Sequence, residues 1–205
     1  MRFHPALVVG FVLFSAFLLV SWLVKTLSPK PKHLKTLCVL GSGGHTGEMF
    51  KLLATINRDR YSPRVYVAAK TDPLSLEKVA LFEGSRTDYQ KYSITRCREV
   101  LQPLYSVPPL FVVAFFESLI LLFRTRPDLI LTNGPGTCLP ICLAAAFYRL
   151  FRRVRVVFVE SFCRVVSLSG TGRILLKTHL ADEILVHWPE LHQRFPRTRY
   201  FGRVI

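Results

Sequence analysis

Apolar positions in this chain fall into three patterns. The first is a near-unbroken stretch at residues 5–27, interrupted by Ser15, Ser21, Lys25 and Thr26. Its uncharged part runs to about 20 residues, enough to cross a hydrocarbon core. The second is a series of short apolar runs at residues 37–40, 64–69, 128–132, 154–159 and 183–186. The third is helical periodicity at residues 48–56, 74–82 and 137–151. A strand covered on both faces reads as a continuous apolar run, and a helix must carry the chain back before the next parallel strand. The alternation therefore predicts an α/β fold, a Rossmann-like doubly wound parallel sheet, preceded by one transmembrane helix. The domain plan is an anchor at 1–27, a stiff linker at 28–35 with Pro29 and Pro31, and one domain at 36–205.

One segment fits two descriptions. Residues 107–123 are apolar over nearly a spanning length, but Pro108 and Pro109 open the segment and Glu117 lies inside it. A charge at the bilayer centre costs about 2.5–3.5 kcal/mol or more. The segment therefore reads either as a helix packed on the sheet with an apolar face in the headgroup region, Arg124 and Arg126 toward anionic lipid, or as a plain core helix.

Charge narrows the partners. Twenty-eight Lys and Arg against thirteen Asp and Glu give a net charge of +15, which calls for an anionic partner. The basic residues are spread along the chain and carry no nucleic-acid-binding signature, so a membrane or phosphate partner fits and nucleic acid does not. Lys25, Lys30, Lys32 and Lys35 follow the anchor while Arg2 alone precedes it, which places the domain in the cytosol. Five cysteines without a C-x-x-C pair argue against a disulfide framework and a zinc cage, and agree with a reducing compartment.

The chemistry concentrates in two glycine turns. Gly41, Ser42, Gly43, Gly44, His45, Thr46 and Gly47 follow the first strand and lead into a helix. Glycines let a ligand approach the backbone, and a helix start offers free N–H donors and a positive dipole end to phosphate oxygens. The turn lacks the lysine of a Walker loop, and the second strand ends in Ala68, Ala69 and Lys70 rather than the acid of a dinucleotide fold. His45 can serve as a base toward a hydroxyl or, when charged, pair with phosphate. A second turn, Thr132, Asn133, Gly134, Pro135, Gly136 and Thr137, again joins a strand to a helix. Both turns belong at the carboxyl edge of the sheet, where ligands of open α/β folds bind. Glu160 ends a strand at the same edge, placed either to orient a sugar hydroxyl or His45, or to pair with Arg164. The remaining histidines, His179 and His187 included, have no companions at metal-ligand spacing.

These residues resemble a known family, the membrane-anchored acceptor-side subunit of the UDP-N-acetylglucosamine transferase of asparagine-linked glycosylation. The resemblance rests on the anchor, residues 41–49, residues 132–140 with their Gly-Pro-Gly-Thr core, residues 160–165 and residues 168–175. It implies the amino-terminal half of a two-domain GT-B glycosyltransferase, with the donor-binding half supplied by a separate small soluble protein. It also implies transfer of N-acetylglucosamine to dolichyl-diphosphate-N-acetylglucosamine at the endoplasmic reticulum membrane, domain in the cytosol, with no cofactor or bound metal. His45 and Glu160 then match the catalytic positions. Gly41, Ser42, Gly43, Gly44, Thr46, Asn133, Gly134 and Gly136 match the acceptor-diphosphate site. An apolar tail at residues 200–205, beginning at Tyr200, matches the partner-docking end. A chain of 205 residues has room for one such domain, so transfer requires a second chain. The other possibility is a recruiter that tethers and activates a partner without touching substrate.

Overall fold

The computed structural model describes residues 31–97, 107–134 and 136–202, together with residues 9, 10, 15, 16 and 19. Most of the expected anchor, residues 28–30 of the linker and residues 203–205 of the tail lie outside the described residues.

Seven parallel strands form one sheet: β1 (Thr36–Val39), β2 (Arg64–Ala69), β3 (Tyr89–Ile94), β4 (Leu129–Asn133), β5 (Arg155–Val159), β6 (Glu183–Val186) and β7 (Arg199–Tyr200), in spatial order β3-β2-β1-β4-β5-β6-β7. The strand order reverses between β1 and β4, which pair directly, so the loops after these two strands flank a crevice at the switch point. This is the doubly wound Rossmann-like sheet expected from the apolar runs. Central strands are buried along their whole length, as β1 and β2 are, because helices cover both faces.

On one face lie α1 (Gly44–Thr55) and α2 (Pro73–Glu83), whose Met49, Leu52, Leu53 and Val79 pack on Cys38, Tyr66 and Leu131. On the other lie α3 (Val107–Thr125), α4 (Cys138–Tyr148) and α5 (Gly170–Thr178), packed on Leu37, Val65, Ile130, Val156 and Ile184. A short α6 (Pro189–Arg194) opens with proline in its first turn, where the missing N–H costs nothing. On the first face α1 reaches as far as β4, where Leu52 and Leu53 pack with Leu129 and Leu131. A hollow of about 310 Å³ remains there, walled by Leu129, Leu131, Val157 and Leu185.

Three details depart from the sequence pattern. β3 (YQKYSI) is an edge strand, exposed and polar at Gln90, Lys91 and Ser93, so it lacks the continuous apolar run of its neighbours. α5 is a strongly one-sided helix of nine residues, capped by the Ser169 hydroxyl, which accepts from Gly172 N. α1 begins at Gly44 rather than at residue 48, so the second half of the glycine turn is already helix.

α3 is the described helix long and apolar enough to cross a membrane by length and composition, with mean hydropathy 1.8. Ala114, Ser118, Leu121, Leu122 and Thr125 are buried against the domain. Far from the glycine turns, at the start of β2, Arg64 is buried and meets Glu83 at 3.5 Å, and Glu83 also takes the Tyr66 hydroxyl and the Arg58 guanidinium.

Candidate functional site

The early start of α1 has a direct chemical result. His45 and Glu48 are three residues apart on its first turn and face the same way, toward the carboxyl ends of β4 and β5. His45 Nδ1 lies 3.0 Å from Asn133 Oδ1 and 3.4 Å from Glu48 Oε2. Both neighbours are acceptors, so in the neutral ring the proton belongs on Nδ1 and Nε2 keeps its lone pair. Nε2 has no hydrogen-bond partner among the described residues, and the half-exposed ring lines an open cavity.

Glu48, absent from the sequence-derived set, is the hub. Its Oε2 accepts from Asn133 Nδ2 at 3.0 Å, and its Oε1 accepts from Ser161 Oγ at 2.8 Å and Phe162 N at 3.2 Å. Burial pushes this carboxyl up, but the bonds from Asn133 and Ser161, the charge His45 carries when protonated and the Phe162 N–H together hold it below its ordinary value. One carboxylate thus joins α1, β4 and the turn after β5, and it backs the histidine through both a direct contact and Asn133. The signal in the sequence was its spacing from His45, which has meaning only once the helix is known to start at Gly44.

The cavity, of about 510 Å³, lies between the two glycine turns and the β5 turn and is bordered by Ser42, Gly44, His45, Gly134, Ser161 and Arg164. A Cβ at Gly44 would meet nothing within 4 Å, so that backbone stands open to a ligand at the start of α1. Gly43 holds a φ of 68°, a left-handed conformation suited to glycine. Ser42 is exposed and accepts from Arg96 Nη2 at 3.0 Å, which brings a cation to the rim. The exposed Arg164 side chain is a second cation at the cavity wall.

Other sequence-derived residues shape or back this surface. Thr46 is buried and ties the turn shut by donating to Gly41 O at 2.6 Å. Asn133 is 1% exposed and is spent on His45 and Glu48. Gly134, at φ 65°, is the seat of the histidine ring, because a Cβ there would stand 2.3 Å from His45 Cε1. Gly136 gives its carbonyl to Cys97 Sγ. Glu160 is fully buried, and its carboxylate accepts from Ser161 N, Ser169 N and Ser169 Oγ. Among the described residues it pairs with neither His45 nor Arg164. His187 is buried beside Phe162, and burial pushes its pKa down. Among the described residues no group of three or more His, Cys, Asp and Glu is placed to hold a metal.

Residues 36–204 match the family described as oligosaccharide biosynthesis protein Alg14 like. The chain belongs to the Alg14 family. It is 41% identical over 197 residues to the UDP-N-acetylglucosamine transferase subunit ALG14 of Homo sapiens, covering 90% of each chain. It is 38% identical over 183 residues to the Yarrowia lipolytica subunit of that name, covering 86% of this chain and 84% of that one. Among solved structures, Acinetobacter baumannii MurG aligns with a TM-score of 0.59 at 16% identity, over 82% of this chain and 45% of its own. The calicheamicin glycosyltransferase CalG4 aligns at 0.52 and 14% identity, over 84% of this chain and 53% of its own. These identities speak to fold alone. The Alg14 domain has the fold of the Rossmann-like half of a GT-B enzyme, and the alignment spans just under half the length of MurG.

Proposed function

We propose that this chain is the acceptor-binding subunit of a UDP-N-acetylglucosamine transferase. It holds dolichyl-diphosphate-N-acetylglucosamine at the cytosolic face of the endoplasmic reticulum membrane, and a separate soluble subunit brings UDP-N-acetylglucosamine across the crevice. Its relatives carry the transferase-subunit name, and its sheet has the fold of one half of a GT-B pair. Tyr200 and Phe201, both exposed, belong to the described part of the end assigned to the partner.

The observation that carries the reading is the clamped histidine. Glu48 and Asn133 accept at His45 Nδ1, which leaves Nε2 without a described partner on a ring that lines a cavity beside open glycine backbone. In the proposed reaction the acceptor diphosphate sits at Gly43 and Gly44, over the amino-terminal end of α1, with Arg164 and Arg96 at the rim. His45 Nε2 takes the proton of the acceptor 4-hydroxyl as that oxygen bonds to the donor anomeric carbon, and UDP leaves with the electrons of the broken C–O bond. Glu48 stabilises the imidazolium that forms. Glu160 contributes by fixing the turn that presents Ser161.

The test is transfer by the chain reconstituted with its partner. His45→Ala lowers turnover by about 10²-fold or more. Gly44→Val, whose side chain meets no protein atom near its Cβ, preserves partner binding and abolishes acceptor use. Full activity in both variants would leave a recruiter that never touches substrate.

A further inference from the structure

α3 buries one side and exposes an apolar stripe on the other. Val112, Val113, Phe116, Ile120 and Phe123 are between 42% and 67% exposed. Over about 17 Å of helix the stripe presents no hydrogen-bonding side chain. It continues onto α4 and the turn after it, where the exposed Phe147 and Phe151 meet α3 through the ring pairs Phe115–Phe147 and Phe123–Phe151 at 5.5 and 5.4 Å. Glu117 is the one acid in α3 and α4. It is drawn off the stripe, its carboxylate taking Lys70 Nζ and Thr95 N. At and just past the carboxyl ends of the two helices stand the exposed Arg124, Arg126, Arg152 and Arg153.

We propose that this face lies on a bilayer carrying anionic phospholipid, with α3 in the plane of the membrane and the arginines among the headgroups. The helix does not span, because its inner side is committed to the domain, with the Ser118 and Thr125 hydroxyls turned back onto Ala114 O and Leu121 O. A protein partner is a poorer occupant. Protein interfaces carry roughly one hydrogen bond per 100–200 Å², and this stripe offers none, whereas a hydrocarbon surface asks for none and the arginine edge matches anionic headgroups. The proposal rests on the acceptor reading in one respect: a carrier whose isoprenoid remains in the bilayer reaches the glycine turns only if the domain lies against that bilayer.

The experiment uses the full chain in phosphatidylcholine vesicles containing phosphatidylserine, with Phe116 or Ile120 replaced by photoreactive benzoylphenylalanine. Leu81, which is 85% exposed on α2 at the opposite face, is the control position. Lipid adducts at residues 116 and 120 are expected at about tenfold the yield at residue 81. Equal yields at the three positions, or protein adducts in place of lipid, would overturn the proposal. The exposed-site variant Ile120→Glu adds a second readout. It raises KM about tenfold for a long-chain acceptor in vesicles and leaves KM for a short-chain soluble acceptor unchanged; an equal rise for both overturns it. Lipid adducts on a chain that transfers no sugar support the docking face and remove only the acceptor reading.

Discussion

Glu48 and Ser161 are 113 residues apart in the chain and share a hydrogen bond of 2.8 Å. The bond ties the first turn of α1 to the turn after β5. Asn133 Nδ2, donating to the other carboxylate oxygen, adds the end of β4. Three strand-end loops are therefore held by one ionised side chain, and His45 is aimed by the same group.

Glu48→Gln tests that hub. The charged hydrogen bonds weaken, costing about 1–3 kcal/mol of the site's stability. Turnover falls more than acceptor binding does. The pH dependence has a defined sign: the folded carboxyl lies below its ordinary value of 4.5, so its contribution is complete above that value and is lost as pH falls through the folded one. Acid unfolding of the native chain, compared with Glu48→Gln, should show that component missing in the variant.

Gly134→Ala should act as a histidine variant in disguise. Its φ of 65° costs an L-residue roughly 1–2 kcal/mol. Its new methyl would also fall 2.3 Å from His45 Cε1, forcing the ring out. Turnover in the reconstituted complex should drop toward that of His45→Ala, with partner binding intact by co-purification.

Cys163 supplies a chemical probe of the cavity. It is the exposed member of the five free cysteines, and it lines the cavity wall. Burial pushes the thiols of Cys38 and Cys142 up to about 12, which removes their thiolate. Maleimide should modify Cys163 alone in the folded chain, read by peptide mass. A lipid-diphosphate sugar acceptor should slow that labelling, and labelling unchanged by saturating acceptor would place the acceptor elsewhere.

Glu83→Ala tests stability away from the site. Arg64 and Glu83 side chains are 1% and 2% exposed, so the variant leaves a buried guanidinium without its carboxylate. Breaking such a pair costs about 3–5 kcal/mol. Thermal unfolding in detergent should move to markedly lower temperature while the His45 contacts are untouched.

Local chemistry announced much of this protein. A strand buried on both faces must be apolar throughout, which is why β2 and β6 were legible at their full bounds, and a glycine cluster between strand and helix announces backbone held open to a ligand. The edge strand β3 escaped because one side of it meets water and its composition follows. Glu48 escaped for another reason: its partners lie 85 and 113 residues away, and they converge only after β1, β4 and β5 are laid side by side. Glu160 looked equally well placed for chemistry until folding turned its carboxylate onto Ser169. The apolarity of α3 was plain in the sequence, whereas the choice of which side to bury came from the sheet and α4. The chain's own order of residues thus determined the layers, the glycine turns and the excess of positive charge, because each depends on neighbours within a few positions. Which histidine nitrogen is bare, which glutamate backs it and which apolar face is left uncovered were decided by tertiary packing, because each depends on groups brought together from distant strands.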